Sequence, residues 1–423
     1  MKRSSAILTL SLLPAAAAAE PPLSAIDWLA EPAPVTVAQP LLQPLGQAPV
    51  SDGVKVPDVT VTPLDTARAD AVGLLPTSTT GLPRDLWAAS ATGRLEALLD
   101  DLTSRPPPAV QALYYTLLLA EADPPADAGA HARFLRARLA ALRRFGAVDA
   151  ALALVERAGP ATPALFDTWL DLALLKGTEN APCAALARTP GLSERYASRI
   201  FCMARAGEWS TAALTYDTAR AVGALTPRET TLLGRFLDPA TPEEGAGLAP
   251  PREMTPLLFR LYEAAGDPMP TRSLPRAFAV ADLRGTMGWK AEIEAAERLA
   301  RTGALPANRL LGLYTERAPA ASGGVWDRVE AIQTFDAAVE SDAAAMAAAL
   351  PGAWQAMSDA GLGVVFATLY GADLAKANLP DHAALAHEIV LLSPTYESAA
   401  RMPGPQTRLR RFLDGLASGA PDA

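Results

Sequence analysis

The chain has 423 residues, half of them apolar, only 6% aromatic, with a formal net charge of −9 at neutral pH. That length is ample for a large core or for two to three domains. The acidic balance argues against nucleic acid as a partner.

The first residues carry an export pattern. Lys2 and Arg3 form a positive start, residues 6–13 are mostly apolar, and Ala17-Ala18-Ala19 precedes Glu20. Residues 1–19 therefore read as a cleaved signal peptide, whose apolar run is too short to span a bilayer. No cysteine follows the cleavage site to take a lipid, and no twin-arginine pair precedes it. With a lone cysteine pair, this predicts an oxidising compartment, the periplasm, and no transmembrane segment after cleavage.

Residues 20–83 are dense in proline, which prevents a continuous helix. The segment nevertheless holds apolar clusters at Ile26-Asp27-Trp28-Leu29 and in the strand-like runs Val54-Lys55-Val56 and Val59-Thr60-Val61-Thr62. It reads either as a linker or as an arm that packs on the body or on a partner.

From Leu82 onward helix signals follow one another, and a helical body is expected over 84–416. Residues 94–102 and 109–122 pair across the break Arg105-Pro106-Pro107-Pro108. Residues 130–145 are amphipathic: Leu135, Leu139 and Leu142 share one face, Arg133 and Arg144 fall opposite, and Arg136 and Arg143 lie at the edge. Such a basic face is either solvated or meets an anionic partner or membrane surface. Thr162-Pro163 opens the next helix, with Phe166, Trp169, Leu170 and Ala173.

The two cysteines, Cys183 and Cys202, flank the break Thr189-Pro190-Gly191-Leu192. In an antiparallel hairpin the start of one helix lies beside the end of the next. The two positions are then offset by about four residues, or ~6 Å along the axes. This predicts a structural disulfide. A redox or metal role lacks both a CxxC spacing and a Cys/His cluster. After Gly207, the residues Trp209, Ala212, Ala213, Tyr216 and Ala219 recur on one stripe, with Trp209 expected to pack inside the hairpin. Thr226-Pro227-Arg228-Glu229 is a capping box with proline at the first helical position.

Gly207, Trp209, Ala212, Tyr216 and Ala219 resemble the small-aromatic-alanine signature of the tetratricopeptide repeat family. Gly146, Val148, Ala151, Val155, Ala158 and Pro163 give a second copy, with fainter echoes at Gly93 and Leu95 and after Trp289. The copies start at irregular intervals, whereas a regular array steps by about 34 residues. The resemblance implies stacked helical hairpins rather than a regular array.

Thr241-Pro242-Glu243-Glu244 and Thr255-Pro256 repeat the cap-then-proline device. Residues 250–275 are irregular and suggest a subdivision. Helices are expected over 290–301, 308–316, 325–340, 342–350, 383–392 and 406–416, with a glycine-bearing apolar run at 362–370. Residues 417–423 read as a flexible tail.

No GxSxG, phosphate-loop or HExxH pattern is present. A GxGxxG-like run from Gly361 and Gly363 ends at Phe366. His382 and His387 are five residues apart, about 140° around a helix, and do not share a face for a metal. Tyr396-Glu397-Ser398-Ala399 resembles the Glu-Ser motif of soluble lytic transglycosylases, but the accompanying Gly-Leu-Met-Gln run is missing. Ser393-Pro394 instead makes Glu397 an acid of a first helical turn.

These readings predict an all-α chain: a curved solenoid of antiparallel helical hairpins with an irregular, proline-rich N-terminal arm. No catalytic, cofactor-binding or metal-binding residue is expected, and no cofactor. The expected role is a non-enzymatic periplasmic scaffold or adaptor for a protein partner in a cell-envelope assembly, of the secretion, flagellar or wall-synthesis kind. Two alternatives remain. A glycan- or wall-binding module would show a row of exposed Trp or Tyr. A hydrolase or lytic transglycosylase without a recognisable motif would show a cleft carboxylate with a raised pKa.

Overall fold

Caps, prolines and glycines cut the chain into short helices. The computed structural model describes residues 68–103, 106–238 and 249–420, and it is all-α, with no strand among them. The signal peptide, the arm up to residue 67, the Thr241-Pro242 cap and residues 421–423 of the tail lie outside the described residues.

Before the second gap come α1 (Thr77–Thr80), α2 (Thr92–Asp100), α3 (Pro108–Leu119), α4 (Arg133–Phe145) and α5 (Val148–Arg157). They are followed by α6 (Phe166–Lys176), α7 (Asn180–Arg188), α8 (Tyr196–Arg205), α9 (Trp209–Ala221) and α10 (Pro227–Leu237). After the gap come α11 (Pro256–Ala264), α12 (Ala279–Asp282), α13 (Trp289–Ala300), α14 (Ala307–Thr315) and α15 (Val325–Ser341). The last four are α16 (Ala343–Asp359), α17 (Gly363–Lys376), α18 (Ala383–Leu391) and α19 (Arg408–Ala417). Among the described residues no helix is long and apolar enough to cross a membrane.

Neighbours in sequence pack on one another, as in α4 on α5, α7 on α8, α8 on α9, α15 on α16 and α17 on α18. Other contacts reach further: α6 meets α11 and α12, and α4 meets the 3-10 turn Arg276–Phe278. Thr302 ties the same regions, its hydroxyl donating to the Phe145 carbonyl at 2.7 Å while its own carbonyl accepts from the Tyr115 hydroxyl at 2.9 Å. One apolar core runs from Leu118 to Met402. The subdivision expected near 250–275 is not seen there. That stretch carries α11, whose Leu257, Phe259 and Leu261 enter the common core.

Two of the caps read from sequence are in place, whereas Thr162-Pro163 does not open α6, which starts at Phe166 after a turn, with Leu165 at its N-cap and no side-chain cap. Thr226 accepts from the Glu229 amide while Glu229 accepts from the Thr226 amide, and Thr255 caps α11 by accepting from the Leu258 amide.

The start of α4 follows a different rule. Ala132 precedes it at φ 50°, a left-handed conformation with no side chain to cap the helix. The cap comes from 65 residues upstream: the Asp70 carboxylate accepts from the Leu135 amide at 2.6 Å. One turn further along α4, the buried Arg138 donates to the carbonyls of Leu118 (2.9 Å), Val72 (2.8 Å) and Ala120 (2.9 Å). It thereby satisfies the C-terminal end of α3, which has no glycine cap. Leu75 pairs with Ala120 in an isolated parallel bridge, and a Cβ at Gly73 would overlap the Ala120–Glu121 peptide, so only glycine fits. Residues 68–80 are thus built into the helical body. The body starts earlier than the boundary at residue 84 expected from the prolines.

Trp209 also departs from its reading. The stripe Ala212 and Ala219 is fully buried, but Trp209 is 51% exposed. As the first residue of α9 it lies over the half-buried Phe236, ring centroids 6.1 Å apart, while Phe201 stacks on the same ring from within. Phe201 is buried, and Tyr216 is half-buried with its hydroxyl donating to the Thr230 carbonyl at 3.0 Å. Replacing Trp209 by alanine is therefore expected to cost about 1 kcal/mol, well short of the ~3–5 kcal/mol of a buried tryptophan. Urea unfolding of Trp209→Ala measures this, and a loss above ~3 kcal/mol would put the indole back in the core.

Candidate functional site

The most distinctive polar surface follows α4. Its apolar face is as the periodicity predicts, with Leu135, Leu139 and Leu142 buried. On the other side α2 and α6 rise as walls around a cleft of about 380 Å³. Ala137 and Ala140 leave its floor low, Arg133, Arg136 and Arg143 line it from α4, and Glu96 and Asp100 face them from α2. Thr168 and Leu172 close the α6 side.

The carboxylates of α2 are already engaged. Arg133 grips Glu96 with two bonds, Nη2 to Oε2 at 2.6 Å and Nε to Oε1 at 3.2 Å. Arg144 donates to the terminal carbonyls of α2, Asp100 at 2.7 Å and Leu99, with the Asp100 carboxylate 3.7 Å away. The outer arginines read from sequence therefore fasten α2 to α4. Arg136 and Arg143 are left over, and no carboxylate among the described residues forms an ion pair with either. Arg143 interacts electrostatically with Asp171, which is itself held by Arg195 at 3.1 Å. Seven residues apart, Arg136 and Arg143 share one line of the helix, separated by two turns or ~10 Å.

The chemistry this permits is anion binding. Two planar guanidinium forks along a channel suit carboxylates. The lining holds no cysteine, histidine or lysine, and its one hydroxyl is that of Thr168.

The other residues singled out by sequence lie elsewhere. Cys183 on α7 and Cys202 on α8 are buried at disulfide distance, with Cα atoms 5.0 Å apart. His131 is exposed and His382 half-buried, whereas His387 is buried with Nε2 2.6 Å from Asp414 Oδ1. No three metal-ligating side chains cluster among the described residues. Glu397 lies in the first turn of the 3-10 helix Tyr396–Arg401, exposed, and the Ser398 hydroxyl is spent on the Thr395 carbonyl at 2.6 Å.

Several acids are pushed up by burial; Asp171 on α6, next to the cleft residue Leu172, is one of them, with Arg195 and Arg143 pulling it back down, and the others lie away from the cleft. Asp70 caps α4, Asp282 accepts from the Thr271 hydroxyl, and Glu263 lies between Arg260 and Arg284. Glu297 is buried among Arg328 at 2.7 Å, Tyr314 at 2.9 Å and Arg301 at 3.2 Å. The residue that sequence reading missed is Arg138. Its signal was present: it lies three residues after Leu135 and four before Leu142, inside the apolar stripe, where a charge needs buried acceptors.

No protein-family model matches the chain, and comparison with curated proteins and with solved structures gives no match.

Proposed function

We propose that this chain is a non-enzymatic adaptor of a cell-envelope assembly and that the α4 cleft holds an acidic stretch of its protein partner. The observation that carries the reading is the pair Arg136 and Arg143, unpaired on one line of a groove in a chain of net charge −9. An acidic protein that leaves two guanidiniums unneutralised in a concavity has a ready place for a partner's carboxylates. The export pattern, the lone cysteine pair and the tetratricopeptide-like hairpins support a periplasmic setting and a solenoid that offers a concave surface. No acid raised by burial lines the cleft itself, and Asp171, the one beside it, is tied to Arg195 at 3.1 Å, which favours binding over hydrolysis.

A fluorescent decapeptide of alternating Glu and Ala, followed by anisotropy, tests the cleft. Binding is expected to weaken at least tenfold in the double variant Arg136→Glu/Arg143→Glu and to fall with added salt. Arg188→Glu, at the exposed end of α7, should leave it unchanged. Both cleft side chains reach solvent, so the melting temperature should hold. Undiminished binding by the double variant would remove the cleft from consideration. Proximity labelling in the native compartment would then name the partner.

A further inference from the structure

The last described helix is turned inside out. α19 buries its charged face: Arg410 donates to the Met402 carbonyl at 2.7 Å and lies 3.4 Å from Asp414, which meets the buried His387. On the opposite face Leu409 is 66% exposed, Phe412 48% and Leu416 49%. These three fall at i, i+3 and i+7, one continuous stripe. Leu392 and Tyr396, beyond the end of α18, are also largely exposed, and between them and α19 runs a groove of about 440 Å³ walled by Leu391, Leu413 and Leu416. Exposed large apolar side chains scattered singly are ordinary, but here Leu392, Tyr396 and Leu416 line the groove, and Leu409 and Phe412 extend the same stripe along α19, which together mark a contact surface.

We propose that this groove docks an amphipathic helix of a protein partner, one that carries acidic residues along one edge. A concavity between two rows of leucine accepts the ridge of a helix, and anchors at i, i+3 and i+7 are its natural match. Charge supplies the edge. Arg408 and Arg411 flank the stripe on the side away from the groove wall, exposed, and no carboxylate among the described residues pairs with them. The concave wall, with Glu388 in its lining, does not suit a flat anionic bilayer. A second copy laid antiparallel across the groove would set Arg408 and Arg411 against themselves. The surface is separate from the α4 cleft and does not depend on it.

The test uses the full chain and two synthetic helical peptides with leucine at i, i+3, i+4 and i+7. One carries glutamate along one edge, the other lysine. Titration calorimetry should show the glutamate-edged peptide binding at least tenfold more tightly. Phe412→Asp and Leu416→Asp should abolish binding, Arg408→Glu/Arg411→Glu should erase the preference between peptides, and Arg136→Glu/Arg143→Glu should change nothing. All four α19 side chains reach solvent, so far-UV circular dichroism should stay constant across these variants. No binding of the glutamate-edged peptide, or equal binding of both, overturns the proposal. So does Phe412-dependent binding to phosphatidylglycerol vesicles, which would assign the stripe to a membrane. A Phe412-dependent dimer in light scattering would assign it to a second copy, and that too overturns it.

Discussion

Replacing Arg138 by alanine is expected to destabilise the protein by about 3–5 kcal/mol, the scale seen when one side of a buried charged contact is removed. The side chain is 1% exposed and spends three nitrogens on three carbonyls. Removing it leaves those carbonyls without donors in a site closed to water, and a lost buried partner costs more than the bond itself contributes. Burial brings the guanidinium down to about 10, so it remains charged at neutral pH, with Asp70 the nearby charge that favours this form. Arg138→Met keeps part of the packing and should recover a fraction of the loss.

The same contacts bear on where the chain can be cut. A chain beginning at Thr62, where the compact unit begins, keeps Asp70, Val72 and the Leu75 bridge. A chain beginning at Leu82 loses all three, and with them the cap of α4 and one acceptor of Arg138. It is expected to unfold at lower urea with a broadened transition, while the longer one behaves as the full body does. Asp70→Asn, whose amide oxygen can still accept from Leu135, should lie between them. Circular dichroism during urea titration reads all of these. A sharp, undiminished transition for the chain starting at Leu82 would show that residues 68–80 only rest on the body.

The limits of what could be read in the residues follow from which forces are local. Caps are local, so the Thr226–Glu229 box and the Thr255 cap were legible. The spacing of Leu135, Leu139 and Leu142 is local to one helix, and their burial was legible too. Asp70 capping α4 was not, because the pairing spans 65 residues and Ala132 offers no hint of a donor in need. Helical period gives a stripe but not its direction. In α9 the stripe is real, yet only Ala212 and Ala219 are buried by neighbours, and Trp209 at the helix start projects past them. In α19 the apolar stripe would be placed inward by pattern alone. The contact of Asp414 with His387 and the bond from Arg410 to Met402 turn it outward instead. The arginines of α4 were visible as a basic face. Which two remain unpaired depends on where α2 brings Glu96 and Asp100, and that is a tertiary fact.

Loss of the Cys183–Cys202 link is expected to cost about 3 kcal/mol without abolishing the fold. The Cα separation of 5.0 Å falls within the range a disulfide needs. Closing a loop across a sequence separation of 19 removes unfolded-state freedom worth about 3 kcal/mol in the chain-entropy account. The hairpin has other holds: Leu186, Ala197, Ile200 and Phe201 are buried in the common core, and Arg199 donates to the carbonyls of Pro190 at 3.0 Å and Ser193 at 2.6 Å across the turn. The link should therefore raise the melting temperature rather than decide whether α7 and α8 form. Both sulfurs are buried, so reductant alone should act slowly on the folded chain and quickly once urea opens it. Mass spectrometry of exported, unreduced protein should find the two peptides joined. Alkylation of both thiols in that material would show that the bond does not form. The variant Cys183→Ala/Cys202→Ala separates the remaining question, because alanine leaves no buried hydroxyl to confuse the loss. If that variant melts with the native chain, the hairpin is held by its packing alone and the loop it closes was never free enough to matter.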